Sequence, residues 1–172
     1  PGEDSTKMFG CGNRLAALED ILSDHENDHI IIWAVWKPLY KPLAKVLDKL
    51  KFSYRFLHGE VSQKKRDEAL DDWNKGEVDV LVAHPSSAGI GVNLTRANTA
   101  IWYSYNFSLE QRLQGRARNY RGGSEIHKTI LEYNFVAKNG EHRTIDEVVL
   151  AALDKKEAIG EDIVGYLRAI YA

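Results

Sequence analysis

The 172-residue chain carries one cysteine, one methionine and four prolines, and its formal net charge is only −2. A lone Cys11 excludes an internal disulfide framework and fits a reducing compartment. No apolar run reaches the roughly 20 residues that a membrane span needs, and no secretory leader is visible. The charge balance excludes a polycation that holds nucleic acid by bulk charge, although a local basic patch is still allowed. The chain opens on Pro1 and its one methionine is Met8, as expected of a processed start or a piece of something longer. What is present is ordinary for one globular domain: 44% hydrophobic and 28% charged residues, enough to bury a core.

Apolar runs alternate with helical patterns along the chain. Leu15, Leu18 and Leu22 share one helix face. Ile30 to Trp33 is a short buried-strand run. Leu39, Leu43, Val46, Leu47 and Leu50 give a second helix that begins at Pro38 or Pro42, because proline suits a first turn. Tyr54 to Leu57 is a strand, and Ser62 caps a helix carrying Ala69, Leu70 and Trp73. Val78 to Val82, Ala100 to Tyr103 and Ile130 to Val136 are further strands. Ser108 with Gln111, and Thr144 with Glu147, have capping-box spacing. They open helices at Leu109 and near Thr144, the latter running to about Lys156. Residues 137–143 form the most polar break. A last helix is expected after Gly160, with Ile163, Leu167 and Ile170 on one face. This alternation predicts an α/β fold with a mainly parallel sheet covered on both faces. Ligands in such sheets sit at the carboxyl ends of strands, here the loops after Val35, Leu57, Ala83 and Tyr103.

The segment QRLQGRARNYRGGS, residues 111–124, holds four arginines and no acid. At about 100° per residue, Leu109, Leu113 and Ala117 form the expected buried stripe. Gln114, Arg118 and Arg121 share a face beside it, while Arg112 and Arg116 fall on the opposite, solvated side. Arginine offers a planar, permanently charged fork suited to phosphate oxygens.

The pattern Gln114-x-x-x-Arg118-x-x-Arg121-x-Gly123 resembles motif VI of Swi/Snf-like superfamily-two helicases. VLVAHPSSAGIGVNL, 80–94, resembles their motif V, and IIIWAVWKPLYKPL their motif IV. FLHGEVSQKKRDEALDDW resembles the block between those two. NFSLEQRLQ is similar to phage and bacterial members, and VAKNGEHRTIDEVVLAALDKKE to the closing strand and bracing helix. The likeness runs in order from about Arg14 to Lys156. It implies the second RecA-like lobe (helicase C-terminal domain), a three-layer sandwich. Residues 1–12 would be a flexible lead, 13–157 the lobe and 158–172 a helical extension. In that family the arginines reach across a cleft to ATP, whose Mg2+ is held mainly by the first lobe. The resemblance assigns Arg118, Arg121 and Gln114 to catalysis, and Gly89, Gly91 and Asn93 to the nucleotide. It assigns Ser86, Ser87, His58, Gly59 and Trp36 to nucleic acid, with double-stranded DNA and the first lobe of the same protein as partners. The place implied is intracellular, cytoplasmic in bacteria or phage-infected cells and nuclear in eukaryotes. Departures are Tyr120 where histidine is common, Gly122-Gly123-Ser124 at the motif's end, and two tryptophans at motif IV.

The phosphate loop G-x-x-x-x-G-K-[ST] and the acidic box of a first lobe are missing. This chain alone is therefore expected to turn over no ATP. DEAL at 67–70 imitates the box, but lies inside the helix after Ser62, so Asp67 and Glu68 read as a solvated face. HENDH, His25 to His29, matches the zinc-protease pattern. The first helix is ending there, so the two histidines do not share a helix face, and no metal site is expected. His58 and His84 sit at strand ends, as structural histidines or nucleic-acid contacts. Gly89-x-Gly91 lacks the third glycine of a dinucleotide fingerprint. The tryptophans fit a core and a lobe interface better than base-stacking platforms. Two alternatives stay open: an RNA helicase C-terminal lobe, or a non-catalytic RecA-like module binding nucleic acid or protein.

Overall fold

The computed structural model describes residues 12–87, 92–120, 123–138, 140 and 142–171. Five parallel strands form one sheet: β1 (Ile30–Trp33), β2 (Tyr54–Leu57), β3 (Val80–Ala83), β4 (Thr99–Trp102) and β5 (Leu131–Asn134). Their order across the sheet is β2-β3-β1-β4-β5. Every residue of the three central strands is buried. Strands covered on both faces must be apolar throughout, which is why they read as continuous runs in sequence. The edge strands β2 and β5 keep exposed positions.

Side chains alternate across each strand, and each face has its own core. Helices α1 (Gly12–Asp24) and α2 (Tyr40–Leu50) bury Leu18, Leu22, Leu43 and Leu47 against Ile30 and Ile32. On the other face, α3 (Gln63–Lys75) and α5 (Ile145–Tyr171) bring Trp73, Val149 and Leu153 against Ile31, Trp33 and Trp102. Helix α4 (Leu109–Asn119) lies on this second face through Leu109 and Gly115. The result is a three-layer sandwich.

Caps fall where the sequence sets them. Ser62 accepts from Lys65 N and Ser108 from Gln111 N. Thr144 and Glu147 close a full box: Glu147 N donates to Thr144 Oγ1 at 3.3 Å, and Thr144 N to Glu147 Oε2 at 2.8 Å. Hydrogen bonds from the Thr144 backbone and hydroxyl hold the Glu147 carboxyl below its ordinary pKa. Several boundaries differ from expectation, among them β3, which runs Val80–Ala83 rather than Val78 to Val82. β4 begins at Thr99, whose hydroxyl donates to Asp28, and β5 is shorter at both ends. The two helices expected after Thr144 are one, running through Gly160. An exposed helical glycine costs only about 1 kcal/mol relative to alanine, too little to break a run of good helix formers. The expected division between 157 and 158 falls inside this helix. The face expected of Ile163, Leu167 and Ile170 concerns side chains outside the described residues.

Helix α2 ends on Lys51 in the left-handed region, φ 61°, its N–H bonded to Asp48 and Leu47 carbonyls. A side chain costs roughly 1–2 kcal/mol there, offset in part by the backbone entropy glycine loses on folding. Lys51→Gly is therefore expected to stabilise by about 0.5–1 kcal/mol. The thermal midpoint should rise by roughly 1–4 °C, read by circular dichroism.

Candidate functional site

Chain connections diverge between the adjacent strands β1 and β4. β1 leads through α2 to one side of the sheet, and β4 leads through α4 to the other. This is the topological switch point, where loops part and leave a crevice. The loops after β1 and β4 are tied there by a bond from Val35 N to Ser104 Oγ at 2.8 Å.

The expected nucleic-acid contacts follow the carboxyl ends of β1, β2 and β3. Trp36 is 57% exposed. His58 stacks on Tyr40, with ring centroids 4.4 Å apart and planes 10° from parallel. Gly59 has open space around it. Pro85, Ser86 and Ser87 form a tight 3-10 turn after β3. The Ser86 backbone N–H donates to His84 Nδ1 at 3.2 Å, and its hydroxyl lies 2.7 Å from the same nitrogen. Nδ1 is therefore an acceptor and His84 carries its proton on Nε2. Burial holds both His58 and His84 below their ordinary pKa, with the Glu60 carboxylate opposing this at His58. Both imidazoles are neutral at pH 7.

Helix α4 departs from its expected orientation. The buried positions are Arg112, Gly115, Arg118 and Asn119, while Leu113 is 40% exposed and Ala117 is exposed. The cause is Gly115. A Cβ there would lie 2.8 Å from the Trp102 ring, and Trp102 stacks on Trp33 at 5.5 Å. With no side chain at 115, the helix backbone settles onto the indoles, and that contact rather than a leucine stripe sets the inward face. Arg112 and Arg116 were expected in solvent; Arg112 is corrected, while the Arg116 side chain stays 38% exposed but is ion-paired. Arg112 is 9% exposed and lies over the Trp102 and Tyr105 rings. Arg116 pairs with Glu132 at 3.3 Å and Glu157 at 3.2 Å, joining α4 to β5 and α5.

Of the expected catalytic set, Arg118 is 8% exposed, whereas Gln114 stands in the open and donates to Glu110. Arg121, Gly89 and Gly91 lie outside the described residues. The tail of the motif V segment meets the end of the arginine helix: Leu94 N donates to Arg118 O at 3.3 Å. Asn93 Oδ1 accepts from Thr95 N, and His127 Nε2 donates to Thr95 O at 2.8 Å. His127 and Arg112 are contacts that sequence reasoning missed. The signal for Arg112 was its spacing of three from Gly115, which puts both on one helix face.

The histidines of HENDH do not converge. His25 uses both ring nitrogens, on Asp28 at 2.6 Å and on the Tyr133 hydroxyl at 2.8 Å. His29 packs edge-on against Trp73. Among the described residues no group of three metal-ligating side chains gathers. Asp67 and Glu68 are exposed on α3, as expected. Three tryptophans are core and Trp36 is not.

A family model for the helicase conserved C-terminal domain matches residues 13–123. The chain belongs to this family. Its relatives include helicases of the Swi/Snf type. ATP-dependent helicase fft2 of Schizosaccharomyces pombe is 27% identical over 149 residues, covering 85% of this chain. Helicase SWR1 of Candida glabrata is 25% identical over 189 aligned positions, covering 98%. Protein p41 of Acyrthosiphon pisum secondary endosymbiont phage 1 is 29% identical over 152 residues, covering 85%. This helicase C-terminal domain spans 30% of the length of p41, 13% of SWR1 and 11% of fft2. Its fold matches the C-terminal part of the Fun30 ATPase domain with a TM-score of 0.69 at 20% identity, over 80% of this chain and 44% of that one. The Dbp5 C-terminal domain gives 0.68 at 18%, over 84% and 78%.

Gly115→Ala is expected to destabilise the domain by up to about 2 kcal/mol. Overpacking against a fixed indole pair costs roughly 1–3 kcal/mol, against a helix-propensity gain of about 1. A urea midpoint measures it, and the same change in an open helix would stabilise. Acid acts through His29, His58 and His84, each held below its ordinary pKa by burial, and His84 contributes one share. At each, the unfolded chain takes up a proton near the ordinary value of 6.5, before the folded one does. Stability is thus full above that pH and falls as pH drops through it. His84→Gln should remove its share of that fall from the stability curve.

Proposed function

We propose that this domain is the second motor lobe of an ATP-dependent, DNA-stimulated helicase or translocase. The supporting observation is the bond between Leu94 and Arg118, which couples the nucleic-acid side of the domain to its arginine helix. In this reading Arg118 and Arg121 complete the phosphate site of ATP bound to the first RecA-like lobe of the same protein. Their charge stands where negative charge develops in phosphoryl transfer. Gln114 orients neighbouring groups, and Gly89, Gly91 and Asn93 approach the nucleotide. Ser86, Ser87, His58, Gly59 and Trp36 grip the backbone of double-stranded DNA, and closure of the lobes shifts that grip.

The side chains fit the phosphates of ATP from one side only. Arginine is present on α4, yet the chain has no phosphate loop and its DEAL string is an exposed helix face. Mg2+ therefore belongs to the other lobe, and the domain alone turns over no ATP. Residues 13–157 are the lobe proper and 158–172 an extension of its last helix. The place of action is intracellular.

In the protein carrying both lobes, Arg118→Ala is expected to cut ATP turnover by roughly 10³–10⁵, the usual effect of losing an arginine finger. DNA binding at fixed salt should change little. If turnover survives, the domain is a binding module whose affinity depends on salt and not on ATP.

A further inference from the structure

Among the described residues, Arg112 is a buried cation without an anion. It is 9% exposed, and its Nε and Nη1 are sealed from solvent with no hydrogen-bond partner. Among the described residues it makes no ion pair, and its charge meets only the faces of Trp102 at 5.8 Å and Tyr105 at 5.7 Å. A ring face returns about 2 kcal/mol when desolvated. Two faces offset part of the several kcal/mol that burying an ion costs, yet neither supplies the acceptor that Nε and Nη1 lack. A charge held this way is prepared for a partner that arrives from outside.

The place where it waits is built for one. Arg112 lines a small cavity together with Val35, Asn106, Ser108 and Gln111, with a volume of about 10 Å3. Val35 follows β1 and Asn106 follows β4, so the cavity occupies the switch point. It also lies at the amino end of α4, an 11-residue helix whose dipole favours negative charge. Asn106 and Gln111 are held in place by a 2.7 Å bond between their amides. That bond uses the Gln111 carbonyl and leaves its amide nitrogen without a partner among the described residues. The cavity is too small for a whole nucleotide, whose sites run to roughly 300–1,000 Å3. It takes a single oxygen presented by a group at its mouth.

We infer that Arg112, with the amino end of α4 and the Gln111 amide, forms a receptor for one oxygen of a phosphate group. It is separate from the arginines at the other end of the helix. The phosphate comes from a nucleic-acid backbone or from a nucleoside triphosphate. The inference stands whether or not the domain is half of a motor, because binding is read without hydrolysis.

Thermal unfolding of the 172-residue chain is followed in potassium phosphate and in potassium chloride at matched ionic strength. Phosphate is expected to raise the midpoint by roughly 2–4 °C at saturation, by binding the folded state alone. Arg112→Met should abolish the rise without lowering the midpoint in chloride, since it removes an unpaired buried charge. Arg112→Lys keeps the charge and the aliphatic stem but lacks the planar fork, and should weaken apparent phosphate affinity about tenfold or more. The lysine variant carries the test if the methionine variant does not fold. Repeating the measurement with a short duplex DNA and with ATP identifies the source, as whichever protects the native chain but not the lysine variant. No rise in phosphate over chloride, or an equal rise in the variants, overturns the assignment and leaves Arg112 a structural clamp on Trp102.

Discussion

The stacked indoles of Trp33 and Trp102 form a floor at the middle of the sheet, and α4 rests on it through Gly115. Much of the functional geometry follows from this contact. Because the helix backbone sits against the rings, its inward face carries Arg112, Arg118 and Asn119 rather than leucines. The same seat brings the carbonyl of Arg118 to the N–H of Leu94, and so joins the segment after β3 to the helix end. A bulkier residue at 115 would lift the helix and change the direction of both arginines together.

The opposite edge of the sheet is fixed by a different device. Asp28 accepts from Asn98 at 2.6 Å and from Thr99 at 2.8 Å, and pairs with His25, which reaches Tyr133. These hydrogen bonds to its charged form hold the Asp28 carboxyl below its ordinary pKa, although burial opposes them. The string that imitates a zinc motif is thus a polar knot at the amino ends of β1 and β4 that reaches Tyr133 within β5. It leaves the carboxyl edge free for ligand chemistry, as parallel α/β sheets generally do.

The sheet and its helices were legible because strands buried on both faces must be apolar throughout, as in Ile30–Trp33, and because Ser62, Ser108 and Thr144 are strong caps. The face of α4 was not legible. A hydrophobic stripe weighs Leu113 heavily and gives Gly115 nothing, yet the absence of a side chain decided the packing. With the face taken from the leucine stripe, Arg112 fell on the side read as solvent, whereas its guanidinium lies over the Trp102 and Tyr105 rings. The continuous α5 was missed for a related reason: Gly160 was weighed as a stop, although nothing near it enforces one. The loops at the carboxyl edge could be named in advance, since a parallel sheet puts every strand's carboxyl end on one edge whatever the strand order. The contacts of Thr95 with His127, and of Arg112 with its rings, cross the sequence at long range and leave no periodic trace.

The central claim is that Arg118, now 8% exposed at the end of a helix seated on the sheet, serves a nucleotide held by another lobe. The most direct measurement is a crystal structure of the two-lobe protein with a non-hydrolysable ATP analogue. The account expects the Arg118 guanidinium within hydrogen-bond distance of a phosphate oxygen, with Gly115 still against Trp102. An Arg118 that stays inside its own lobe, turned away from the nucleotide, would contradict it.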